Sequence, residues 1–337
     1  MRSDKDLNPS ARISAAMPTE ATGWLSLDQV HLGDARSLLK RIRPESVALS
    51  VWSPPYWVGK SYEKDLSFTD WQALIRDAIK GHFVPLKPGG FLVVNIADIL
   101  CFADSSMPRF QANVEGAKKV GITAEEILDA KARHPDLSRY ELAKLLGCSE
   151  QTIQRRLEGV QVRGGKRDTQ TRVQLVGGMV DNWAREAGLY LYDRRVWTKD
   201  PAWANDQWHS VSYRSVDEFE YLYIFWKPGE TKISRSRLTR KEWADWGSRG
   251  VWHFPSVRAN DVHEAMFPAE LPRRCIQLFT DPEEVVLDCF AGSGTTLVQA
   301  AKLGRHYVGI ELMEKYVRLA RRNLAPVGHS SQRKLAE

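Results

Sequence analysis

Val285-Val286-Leu287-Asp288-Cys289-Phe290-Ala291-Gly292-Ser293-Gly294-Thr295-Thr296 is an apolar run that breaks into a glycine turn. Apolar residues then recur at helical spacing from about Thr295 (Leu297, Val298, Ala300, Ala301, Leu303). A strand that passes through glycine into a helix is the building unit of an α/β sheet. The glycines allow a ligand close to the backbone, and the new helix offers unbonded N–H groups and a positive end. On its own the stretch is ambiguous among nucleotide-type cofactors. It is no phosphate-binding loop, because no Gly-Lys-Ser/Thr follows, and it lacks the third glycine of a dinucleotide fingerprint. A further strand, His306 to Ile310, ends in Glu311, placed as an acceptor for ribose hydroxyls.

Far upstream, Val47 to Trp52 is a second apolar run, bounded by Pro44 and Pro54 in the manner of a short buried strand. It ends in Ser53-Pro54-Pro55-Tyr56. Two successive prolines fix φ and remove two backbone donors, so the strand stops and the turn presents carbonyl oxygens without competing N–H groups. The Ser53 hydroxyl and the Tyr56 ring flank them. A planar group bearing an amine suits this turn: its ring stacks on Tyr56, and the amine donates to Ser53 and the Pro54 carbonyl. A four-residue match also fits an ordinary strand-ending turn, and the glycine turn is what shifts the balance.

Together these residues resemble the DNA amino-methyltransferases that use S-adenosylmethionine. Ser53 to Tyr56 is similar to their catalytic motif and Asp288 to Thr296 to their cofactor loop. The catalytic motif comes first, which is the permuted order of the beta class. His31-Leu32-Gly33-Asp34, Leu86 to Phe91, Val196 to Lys199 and His263 to Pro268 fit the same order, so the resemblance runs from about Trp24 to Leu324 around one insertion. It implies a doubly wound, mostly parallel, seven-stranded Rossmann-like sheet. It assigns catalysis to Ser53, Pro54, Pro55 and Tyr56, with S-adenosylmethionine as the cofactor. Asp288 would meet the methionine amino group, with Phe290, Gly292 and Gly294 around it. Thr295 and Thr296 would offer N–H groups to the carboxylate, Glu311 would take the ribose hydroxyls and Asp34 the adenine amine. His263 and Pro268 would lie near the methionine end. In the family, serine at the position of Ser53 usually accompanies cytosine N4, and aspartate adenine N6.

The segment from about 116 to 167 breaks the strand–helix alternation. Thr123 to Glu126 and Ser138 to Glu141 have capping-box spacing, and Tyr140 to Leu157 resembles a DNA-binding helix-turn-helix. Ala143 is small where two helices cross, Gly147 permits the turn and Ser149 caps the second helix. Gln151, Thr152, Gln154, Arg155 and Arg156 are then the expected DNA-binding residues, of types that read base edges or hold phosphates. A purely structural helical hairpin is the alternative. The organisation expected is a disordered tail at 1–22, a catalytic half at 23–115, the insertion at 116–167 and the rest of the core at 168–325, followed by a tail. Recognition loops are expected at 200–216 and 228–250, with Trp203, Trp208, Trp243 and Trp246 as candidates or as local packing anchors. Helices are expected from Thr69, with capping-box spacing, and over Val173 to Ala187.

At 337 residues, 43% hydrophobic, the chain suffices for a full core, and no apolar run approaches the roughly 18 residues that span a membrane. Its start lacks the apolar core of a signal peptide, so a cytoplasmic protein without membrane partners is expected. The four cysteines have no metal or redox spacing, and no metal is expected. A net charge of +6 is modest, but basic residues cluster at Arg155-Arg156, Arg163 to Arg167, Arg194-Arg195 and Arg235 to Lys241. The function expected is sequence-specific methylation of the cytosine N4 amine in double-stranded DNA, on a base turned out of the helix. Adenine N6 is the alternative, and a non-catalytic DNA-binding regulator the alternative of another class. A cognate restriction endonuclease and the choice between monomer and homodimer stay open.

Overall fold

The chain enters on β1 (Gln29–Leu32), turns through α1 (Ala35–Leu38) and reaches β2 (Val47–Trp52), every residue of which is buried. The computed structural model describes residues 23–57, 66–108, 110–111, 121–158, 168–200, 215, 217–256 and 267–327. After β2 come α2 (Phe68–Gly81) and the long β3 (Leu86–Ile96). α2 is capped by Ser67 rather than by Thr69: the Ser67 hydroxyl accepts from Asp70 N and Asp70 returns the bond, which leaves Thr69 inside the first turn. Next are β4 (Ile99–Ala103), β5 (Phe110–Gln111), α3 (Ala124–Arg133), α4 (Arg139–Leu145), α5 (Glu150–Glu158), β6 (Asp168–Thr169) and β7 (Thr171–Gln174). Then follow α6 (Gly177–Glu186), β8 (Tyr190–Thr198), β9 (Phe219–Trp226), α7 (Arg240–Glu242) and β10 (Val251–His253). The chain closes with α8 (Glu270–Phe279), β11 (Val285–Asp288), α9 (Thr295–Lys302), β12 (His306–Glu311) and α10 (Glu314–Leu324).

The helix expected over Val173 to Ala187 starts only at Gly177, because Val173 belongs to β7. A Cβ on Gly177 would fall 2.1 Å from the Tyr223 hydroxyl, so the helix can approach the sheet only through glycine here.

Contacts divide the described residues into two units: one drawn from Met1–Ile99, Leu175–Asp200 and Phe219–Glu337, the other from Leu100–Gln174 and Pro201–Glu218. The first unit holds the main sheet, ordered β1-β12-β11-β2-β3-β9-β8-β10. It has eight strands among the described residues, one more than expected, because Val251–His253, just beyond the recognition loop expected at 228–250, pairs parallel with β8. β9 runs antiparallel to both its neighbours, and the other pairings in the sheet are parallel. Alternation along the strands sends Leu49, Val51, Val93, Ile224 and Val286 into one core with residues of α8, α9 and α10. Each such side chain contributes about 1.5–3 kcal/mol when fully buried. Ser50, on the opposite face, meets His82 at the end of α2, so helices cover both sides and the sheet is doubly wound.

The second unit pairs β4 with β7 and β5 with β6. Its helices share a small core of Ile127, Ala130, Leu142, Ala143 and Ile153. Both capping boxes form, at Thr123–Glu126 and Ser138–Glu141, and Ser149 Oγ accepts from Thr152 N at 3.2 Å. Gly147 takes φ +61° in the turn between α4 and α5, a conformation that favours glycine. The unit extends beyond 116–167 on both sides, since the ribbons on either flank join it.

Candidate active site

β2 and β11 lie side by side and parallel, with Ser50 opposite Leu287. Three residues further along, the two strands deliver Ser53 and Phe290 to the same carboxyl edge of the sheet, where open α/β folds bind ligands. The two motifs are in contact: the Trp52 and Phe290 rings lie 5.2 Å apart, and the buried Thr296 hydroxyl is 3.5 Å from the Val51 carbonyl.

The Ser53 turn is braced from α2. Trp71, fully buried, donates its indole N–H to the Pro55 carbonyl at 2.7 Å. Ser53 Oγ donates to Tyr56 Oη at 2.9 Å, and Tyr56 Oη donates to Glu220 Oε2 at 2.7 Å. Lys199 Nζ completes the series on Glu220 Oε1 at 2.7 Å. Trp57, next in the chain, has φ +55°, a strained value for a bulky residue that sets the exit of the turn.

The glycine turn follows β11. Gly292 has φ +51° and Gly294 +83° at the N-cap of α9. A Cβ on Gly294 would stand 3.0 Å from Ala320 Cβ. Asp288 is buried, and burial pushes its carboxyl up to about 7, only partly opposed by hydrogen bonds from Thr296 and the Phe290 N–H. Among the described residues no basic side chain pairs with it. Burial also raises Glu311, whose Oε2 accepts from Gly292 N at 2.9 Å and Oε1 from Met313 N at 2.8 Å. A buried carboxyl that lacks a cation, beside a second one at a glycine turn, is an acceptor set that fits a cofactor with an ammonium and ribose hydroxyls.

Asp34 caps α1 through Arg36 N, and the Arg36 guanidinium grips its carboxylate, holding it below the usual range. β1 pairs with β12, and Gly33 N donates to Glu311 O, so Asp34 sits beside Glu311. Thr295 opens α9, its hydroxyl 3.2 Å from Ser293 Oγ. Pro268 lies just before α8, its carbonyl accepting from Leu271 N, and His263 lies outside the described residues. In the second unit, Thr152, Gln154 and Arg156 lie on α5, with Gln154 and Arg156 exposed, and Gln151 and Arg155 belong to the same helix.

One expectation needs correction. Arg195 is no part of a solvated basic patch: it is buried, donates to the Gly247 carbonyl at 3.0 Å and lies over Trp252. Trp246 is a packing anchor, buried against Trp252 and the guanidinium groups of Arg273 and Arg274, while Trp243 is exposed. Trp203 and Trp208 lie outside the described residues, as does nearly all of 200–216. Glu220 and Asn95 escaped the sequence reading. Asn95 sits among apolar strand residues, a polar side chain in a buried run that could have been flagged. Glu220, at the start of a strand, looks like any solvated acid.

The Ser-Pro-Pro-Tyr turn thus abuts a glycine turn with a buried acid at the carboxyl edge of an α/β sheet. The chain belongs to the N6/N4 family described as DNA methylase, whose model matches residues 47–322, and it is an S-adenosylmethionine-dependent DNA amino-methyltransferase. Over 301 residues it is 56% identical to the type II methyltransferase M.BglI of Bacillus subtilis, covering 89% of this chain and 86% of that one. It is 37% identical over 318 residues to the DNA adenine methyltransferase YhdJ of Escherichia coli K12, covering 90% and 85%. Two solved structures share the fold. A DNA modification methylase of Thermus thermophilus, complexed with S-adenosyl-L-methionine, matches with a TM-score of 0.57 at 24% identity, covering 89% and 93%. The cytosine-N4-specific PvuII DNA methyltransferase matches at 0.52 and 19%, covering 89% and 87%. Among the described residues no helix is long and apolar enough to cross a membrane.

Proposed function

We propose that this enzyme methylates the N4 amine of cytosine at a specific sequence in double-stranded DNA. The observation that carries this is serine rather than aspartate at position 53, at the head of the turn, donating its hydroxyl hydrogen to Tyr56 and so keeping lone pairs for an amine. The target base must leave the duplex, at a cost of a few kcal/mol, and stacking on Tyr56 returns about 1–3 kcal/mol. Hydrogen bonds from the amine to Ser53 and the Pro54 carbonyl draw its nitrogen towards sp³ geometry and expose its lone pair. No strong base is needed, because the amine becomes acidic as it is alkylated, and no cysteine nucleophile is needed either. Holding both reactants in place supplies much of the rate.

The bound cofactor supplies the electrophilic methyl group on a sulfonium. Asp288 would hold its ammonium, Phe290, Gly292 and Gly294 would surround the methionine part, and Thr295 and Thr296 would offer N–H groups to its carboxylate. Glu311 keeps lone pairs for the ribose hydroxyls while it bonds Gly292 and Met313. Asp34 would meet the adenine amine, and the family resemblance would put Pro268 and His263, the latter outside the described residues, towards the methionine end. Helix α5, packed on α4, reads DNA through Gln151, Thr152, Gln154, Arg155 and Arg156.

Adenine N6 is the second reading, favoured by the name of the YhdJ relative. Digesting methylated DNA to nucleosides and weighing them decides between the two. N4-methyldeoxycytidine is the expected product, and N6-methyldeoxyadenosine alone overturns the choice of base.

A further inference from the structure

Glu220 belongs to no sequence motif, yet β9 carries it to the Ser53 turn. Its carboxylate is buried and held from two sides, by Lys199 Nζ and by Tyr56 Oη, each at 2.7 Å. Tyr56 Oη also lies 3.2 Å from the Asn95 carbonyl and 3.3 Å from Asn95 Oδ1. The Asn95 side chain is oriented by its own NH₂, which donates to the Tyr221 carbonyl at 3.2 Å. All three of these oxygens accept and carry no hydrogen. A phenol has one hydrogen, and the carboxylate makes the shortest and strongest bond with it. With that hydrogen engaged, Tyr56 Oη has only a lone pair to turn towards Ser53. The serine hydroxyl must therefore donate to Tyr56, at 2.9 Å, and it meets any other partner as an acceptor.

We infer that Glu220, ion-paired with Lys199, is a positioning residue that sets the polarity of Ser53 through Tyr56. The inference rests on the reading of Ser53 as the receiver of the target amine. A serine fixed as an acceptor welcomes the N–H of an exocyclic amine and opposes a ring carbonyl, which needs a donor. Selection of an amino base over a keto base is thus built in a residue away from the one that touches it. It also explains the ion pair. A buried carboxylate is costly unless it is paired and hydrogen-bonded, and Lys199 with Tyr56 satisfies both requirements.

Glu220→Gln is close to isosteric and tests the polarity. Lys199 takes the amide oxygen and the NH₂ turns to Tyr56, whose hydrogen is then divided between the longer Asn95 contacts, at 3.2 and 3.3 Å, and Ser53, so the serine is no longer held firmly as an acceptor. The assay uses the full chain, methyl-labelled S-adenosylmethionine and unmethylated bacterial DNA, with cofactor affinity read by calorimetry and folding by thermal melts. kcat should fall about a hundredfold while KM for DNA and cofactor affinity stay within about threefold. Glu220→Asp should recover part of the rate. Tyr56→Phe cuts the link, so Glu220→Gln added to Tyr56→Phe should cost nothing more. A Glu220→Gln enzyme with wild-type kcat, or losses that multiply in the double variant, would overturn the inference. If Glu220→Gln does not fold, Glu220→Leu combined with Lys199→Met replaces the whole ion pair by apolar side chains and enters the same cycle with the same criteria. A wild-type protein that transfers no methyl group sinks the reading of the site, and the inference with it. Active wild type with an indifferent Glu220→Gln sinks the inference alone.

Discussion

Gly292 donates its backbone N–H to Glu311 Oε2 at 2.9 Å, and through this bond the strand end at β12 holds the glycine turn that follows β11. Met313 N takes the other oxygen at 2.8 Å, so the carboxylate is oriented before any ligand arrives. Such preorganisation lowers the cost of ordering the loop on binding. It also concentrates two acids, Asp288 and Glu311, in one buried place, where each is raised by burial and Asp288 further by Glu311.

Asp288 gives cofactor binding a pH dependence. A carboxyl raised in the fold to about 7 favours its protonated form, so its contribution to stability without cofactor is full at low pH and is lost as pH rises through about 7. The cofactor's ammonium needs the ionised form. Affinity by calorimetry should therefore strengthen from about pH 5.5 to 7, by up to about tenfold per pH unit. Asp288→Asn should bind weakly and show a flat profile. A slope that persists in that variant would place the titration elsewhere.

Tyr56→Ala should separate the two halves of the site. Removing the ring and its hydroxyl lowers kcat by at least about a hundredfold, while cofactor affinity stays close to wild type. The check is methyl transfer and calorimetry on the same preparation. Equal collapse of both would mean that Tyr56 belongs to the cofactor pocket.

His82 predicts how the sheet fails in acid. Burial lowers it to about 4, its Nδ1 donates to the Ala78 carbonyl at 2.6 Å, and its Nε2 accepts from Ser50 Oγ at 2.9 Å. A histidine depressed in the fold contributes stability above its unfolded value, near 6.5, and loses it as pH falls towards 4. Denaturant unfolding of His82→Gln should show a shallower acid limb and a loss of about 1–3 kcal/mol at neutral pH. An acid limb identical to wild type would exclude this residue as its source.

Much of this was readable in the chain because the signals are local. Val47–Trp52 appears where an apolar run is bounded by proline, and α9 begins at Thr295 because glycine precedes it. The start of α6 was not legible, since it depends on how closely Gly177 approaches Tyr223. Neither was Glu220, whose meaning comes from a tyrosine 164 positions earlier. Strand pairing brings them together, and no spacing rule encodes that.

Arg156 and Gln154 test whether α5 reads DNA, as we propose. Arg156→Ala should lower the slope of log affinity against log salt by about one, uniformly across sequences. Gln154→Ala should instead alter preference at one base position. Titrations of labelled duplexes at several salt concentrations distinguish these outcomes, and affinities unchanged in both variants would return the helices to a structural role.

Transfer of a labelled methyl group to DNA, followed by recovery of the labelled nucleoside, reaches the heart of the matter: one reaction centre made by Ser53 and the glycine turn. The wild type should place all label on an exocyclic amine nitrogen, and both Ser53→Ala and Asp288→Asn should lose most of that transfer. Label on a ring carbon, or full transfer by Ser53→Ala, would contradict it.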